Sequence, residues 1–141
     1  MKYLLNEIPV KTTNSFNINN LKIDLDIPDK YSYKEFDVLN SDKVDIKYGK
    51  NDSFNTKIGL ELSSSLNVDI NIKESISLPV IFTYEFDEDN LVDSINIKCL
   101  DNVSANIIFK YVSKGNNKNF HHLKQIINVG ENSNITITNI N

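Results

Sequence analysis

Apolar and polar residues alternate along most of this chain with a period of two, the repeat of a strand that buries one face. Leu21, Ile23, Leu25 and Ile27 alternate with Lys22, Asp24 and Asp26, and Pro28 closes that segment. Val68, Ile70 and Ile72 alternate with Asn67, Asp69 and Asn71. After a polar break at Lys73-Glu74 the same parity resumes through Ile76, Leu78, Val80, Phe82, Tyr84 and Phe86. A third run sets Ile95, Ile97 and Cys99 against Asn96 and Lys98, and a fourth carries Val103, Ala105, Ile107, Phe109 and Tyr111 on one face. No long window shows the i, i+3, i+4 spacing of an amphipathic helix. The pattern predicts an all-β protein.

Between these runs the reading is less regular. From Tyr31 to Ser65, aromatic residues (Tyr31, Tyr33, Phe36) indicate packing, whereas Asp42, Lys43, Gly49, Lys50, Asn51 and Asp52 indicate turns. That stretch is expected to be an irregular connection with one or two short strands. Gly115-Asn116-Asn117-Lys118-Asn119 reads as a loop, polar and led by glycine. The expected division is an N-terminal segment over 1–65 and a strand-built core over 66–141.

Within the core the sequence repeats. Ile97 matches Ile127, Asp101-Asn102 matches Glu131-Asn132, Ala105 falls on Ile135 and Ile107 on Ile137, each pair 30 positions apart. Each copy reads strand, acidic-Asn turn, strand. A period of this size marks units that stack because none can bury its apolar face alone. The second copy runs to Asn141 on the strand Ile135-Thr136-Ile137. A row of unpaired backbone groups is a liability, so this edge is expected to be covered by another layer or by a partner.

Composition narrows the function. The 141 residues are enough for one domain with a sizeable core. Asn and Ile are abundant, at 22 and 19, against a single Ala. An AT-rich coding sequence accounts for that bias, and its effect is to favour strands and turns over helix. The formal net charge of −4, with 15 basic residues that are all Lys, argues against a nucleic-acid partner. No run approaches the length of a membrane span, and Met1-Lys2-Tyr3-Leu4-Leu5 runs at once into Asn6, Glu7 and Pro9 rather than into an apolar leader. One cysteine excludes an internal disulfide framework and suits a reducing compartment, so the cytoplasm is the expected location.

Two stretches, ISLPVIFTYEFDEDNLVDSINIKCLDNVSANIIFKYVS (76–113) and FHHLKQIINVGENSNITI (120–137), follow one order of features. A strand with an internal Pro leads to a short acidic loop, a hydrophobic strand and an acidic-Asn turn. A long strand ending in Tyr-x-Ser follows, then Phe-His and a Gly-Glu-Asn-Ser turn. In this order the chain resembles the SufB/SufD family, scaffold proteins of iron–sulfur cluster assembly. Asn6-Glu7-Ile8-Pro9-Val10-Lys11-Thr12 is similar to the start of a SufD-type chain, although Thr13-Asn14-Ser15 stand where aromatic residues are usual, with Phe16 nearby. The resemblance implies a right-handed parallel β-helix preceded by an irregular N-terminal segment, pairing of SufB with SufD, and docking on the SufC ATPase. Family members are much longer, so the chain is expected to be a truncated counterpart of their N-terminal region and first β-helix turns. The parts that receive sulfur, build the cluster and bind SufC would lie beyond it. No catalytic, cofactor or metal residue is carried over.

The residues themselves offer little chemistry. Cys99 continues the Ile95-Ile97 face and reads as a small core residue, not a reactive thiol. A single cysteine cannot hold a cluster without ligands from elsewhere. His121-His122 resembles a metal pair, but neighbours on a strand point to opposite faces. One is expected to be packed and the other exposed. Asp87-Glu88-Asp89-Asn90 has oxygens for a hard cation but lacks the loop of a calcium site. No nucleophile elbow or phosphate-binding loop is present. The expectation is a non-enzyme, without cofactor or metal, that works by protein–protein contact. Its partners would be SufB/SufD-type scaffolds and the SufC ATPase, or a second copy paired through the open strand edge. A stand-alone β-sandwich binding module, for carbohydrate or a structural partner, is the alternative, weakened by the absence of Trp.

Overall fold

A computed structural model describes residues 2–5, 21–24, 28, 31–50, 53–55, 61–87, 90–114 and 119–141. Twelve strands are found among them and no helix. They are β1 (Lys2–Leu5), β2 (Leu21–Asp24), β3 (Asp37–Leu39), β4 (Val44–Gly49), β5 (Ser53–Asn55), β6 (Glu61–Ser63), β7 (Leu66–Ile72), β8 (Val80–Phe86), β9 (Leu91–Cys99), β10 (Ser104–Ser113), β11 (His121–Val129) and β12 (Asn134–Ile140). The expected all-β class holds. Among the described residues no helix is long and apolar enough to cross a membrane. Leu25, Ile27, Asn6 to Phe16, Asn51-Asp52, Glu88-Asp89 and Gly115 to Lys118 lie outside the described residues.

From β7 onward the chain alternates between two four-stranded sheets, one ordered β11-β9-β7-β4 and the other β12-β10-β8-β3. Each strand pairs in parallel with the strand two places later in the chain. Val68 lies beside Ile95 and Phe82 beside Phe109, 27 residues apart, while Ile97 lies beside Ile127 and Ile107 beside Ile137, 30 apart. The repeat read from the sequence is therefore the hydrogen-bond register itself. The longer second period arises at one corner: Phe86 to Leu91 becomes Ser113 to His121 one layer on. Both sheets are mixed, because β3 pairs antiparallel with β8 and β4 antiparallel with β7. Two further antiparallel pairs, β1 with β2 and β5 with β6, form two-stranded sheets of their own.

The inward faces share one buried cluster, with Val68, Ile70, Ile72, Ile95 and Ile97 from one sheet and Val80, Phe82, Tyr84, Ile107 and Phe109 from the other. In-register parallel pairing sets like residues above one another: Phe82 stacks on Phe109 at 5.0 Å between centroids. Phe36, just ahead of β3, meets the rings of Phe82, Tyr84, Phe109 and Tyr111 at 5.8–6.1 Å, in tilted or edge-to-face contact. Fully burying a side chain of this size contributes about 1.5–3 kcal/mol, so these stacked rows carry the fold.

The other corner is uniform. Cys99 to Ser104 and Val129 to Asn134 have the same length, and Asn102 (φ 60°) and Asn132 (φ 55°) occupy the left-handed region at matching positions. Asn tolerates that conformation better than other non-glycine residues. The corners bond to each other: Asn102 N–H donates to the Glu131 carbonyl (2.8 Å), Glu131 N–H to Asp101 Oδ1 (2.7 Å) and Val103 N–H to Ser133 Oγ (2.9 Å).

Two expectations are corrected. Leu78 does not continue the apolar face; it is 60% exposed, and β8 begins only at Val80. The preceding corner has Ser75 in place of the left-handed Asn, and Pro79 has no N–H for the ladder. The stretch from Tyr31 to Ser65 holds more strand than expected, β3 to β6, and its β3 and β4 complete the two sheets. Gly130 is required for space: an added Cβ would meet Asp101 Oδ1, with the Asp101 nitrogen and the Leu100 carbonyl carbon each at 2.6 Å. Gly130→Ala is expected to destabilise the protein by about 1–3 kcal/mol through overpacking. Urea denaturation at neutral pH checks this, and an unchanged midpoint would mean that the two corners are not in firm contact.

Candidate functional site

Carrying the apolar face of β9 backward from Ile97 and Ile95 by two places reaches Asp93, a carboxylate at a core position. It is fully buried, stacked between Leu66 and Leu123 on the neighbouring strands. An ionised group there must be hydrogen-bonded to persist. Tyr111, reaching across from β10, donates its hydroxyl to Asp93 Oδ2 at 2.6 Å, and His121 Nε2 lies 2.9 Å from Oδ1. The His121 ring also packs on Tyr111 at 4.3 Å and on Phe86 at 5.5 Å. This cluster ties β9, β10 and β11 together from both sheets. Burial, then the Asp93 charge and the hydrogen bond to it, push the Tyr111 phenol far above its ordinary value.

His121 and His122 do face opposite ways, but both are half-buried, so the expected packed-and-exposed split is replaced by two partly covered rings. Burial lowers the His122 pKa, with Asp93 acting in the opposite sense and His121 in the same sense. Cys99 is buried on the core face, and its thiol donates to the Leu100 carbonyl at 3.4 Å. Asp87 is exposed, and Asn90 Oδ1 accepts from the Phe120 N–H at 2.9 Å, fixing the end of the acidic loop to the Phe-His segment. Among the described residues no group of three or more His, Cys, Asp or Glu side chains converges as a metal site. Among the described residues the two histidines, Cys99, Asp87 and Asn90 do not come together as a metal site.

The second feature is the end of the stack. β11 and β12 each pair on one side only, and their other edges have no strand partner among the described residues. Ile127 and Val129 are 45% and 48% exposed, while Ile135 and Ile137 are partly covered by the core. In the middle of this surface Gln125 of β11 and Asn139 of β12 join across the two sheets. Gln125 Nε2 donates to Asn139 Oδ1 (3.2 Å), and Asn139 Nδ2 donates to Gln125 Oε1 (3.1 Å). They continue the columns Val68–Ile95 and Phe82–Phe109.

Asp93, Tyr111, Gln125 and Asn139 were not candidates by residue type. Parity on β9 would have exposed Asp93, and adding 30 to Ile95 and Phe109 would have exposed the amide pair. Comparison with known proteins finds no matching family model, no matching curated protein and no matching solved structure.

Tyr111→Phe leaves Asp93 Oδ2 without its donor and is expected to cost about 1–3 kcal/mol at neutral pH. The raised phenol value fixes the sign of the alkaline behaviour. The protonated form belongs to the folded state, so its stabilisation is complete below pH 10.0, the ordinary tyrosine value, and is lost as pH climbs above it. Absorbance titration of the six tyrosines should place Tyr111 among those that ionise only with unfolding, and in the phenylalanine variant the amplitude of that late step should fall by one tyrosine; an unchanged amplitude would assign it elsewhere.

Proposed function

We propose that this chain is a non-catalytic scaffold component of SUF-type iron–sulfur cluster assembly that acts by protein–protein contact in the cytoplasm. Its alternating strands would form turns of a right-handed parallel β-helix of the SufB/SufD kind. Its partners would be SufB/SufD-type scaffolds, together with the SufC ATPase, or a second copy. The cluster is then cargo of the assembly and not a resident group of this chain.

The observation that carries the reading is the in-register parallel stacking of β7, β9 and β11 and of β8, β10 and β12, which leaves β11 and β12 with free outer edges among the described residues. A strand pair with the same spacing can add to those edges through main-chain hydrogen bonds, while apolar side chains meet along the inner columns. The alternative β-sandwich binding module shares two facing sheets around one core, but sandwiches are built from antiparallel strands. The six central strands here pair in parallel.

The test is affinity capture of the full chain from lysate of its source, with bound proteins identified by mass spectrometry. A SufB/SufD-type scaffold or SufC is the expected catch. Ile127→Lys places a charge on the exposed inner column and should lower that capture about tenfold or more. If neither protein is enriched over a control, the assignment to cluster assembly fails.

A further inference from the structure

We draw no further inference here: the strongest candidate, the part-exposed apolar row of Leu39, Ile81 and Ile108 across the outer face of β3, β8 and β10, carries nothing because nothing in the structure shows what covers it.

Discussion

Parallel pairing without slippage is the constraint from which the rest of this molecule follows. Once Ile97 is beside Ile127 and Ile107 beside Ile137, the corners Cys99 to Ser104 and Val129 to Asn134 must take up the same number of residues. They do so, and the left-handed Asn102 and Asn132 make the tight reversal at little strain. The opposite corner is free to vary, and it absorbs the difference between a period of 27 and one of 30 without disturbing either sheet. A one-residue slip would instead turn every inward isoleucine outward. Corner length is therefore the same between Cys99 and Ser104 as between Val129 and Asn134, and differs only between Phe86 to Leu91 and Ser113 to His121.

The same constraint explains why a carboxylate is tolerated in the core. In-register stacking brings Asp93 into line with Leu66 and Leu123, which offer it nothing. Its hydrogen bonds come from the facing sheet, through Tyr111, and from the next layer, through His121. Exchanging such a group for a hydrocarbon of similar size need not weaken a protein, whereas removing one partner does. Asp93 thus contributes less to net stability than the aromatic rows around Phe36. Its effect is to fix how β9, β10 and β11 sit relative to one another.

Much of this was legible in the sequence where the physics is local or periodic. Alternation located the central strands over Val68 to Ile72, Ile76 to Phe86, Ile95 to Cys99 and Val103 to Tyr111, and the repeat of Ile97-Ile107 in Ile127-Ile137 located the register of the last two layers. Leu78 misled because parity alone ignores the missing N–H of Pro79. β3 and β4 were anticipated only as one or two unplaced short strands, for a different reason. Their residues carry weak strand signals and become strands by pairing with β8 and β7, a tertiary effect that short windows do not record. The Asp93 cluster required combining parity, register and the facing sheet at once, and residue type drew attention to Cys99 and the adjacent histidines instead.

The inner columns also change character along the stack. Through β7 to β10 they are hydrocarbon and aromatic, with Asp93 as the exception; at β11 and β12 they carry His121, Gln125 and Asn139 among isoleucine and valine. The change follows what each strand packs against. Among the described residues β7 to β10 have a strand on both sides, whereas β11 and β12 pair on one side only. Gln125 and Asn139 can therefore satisfy each other there and still reach water, while Ile127 and Val129 stay about half exposed.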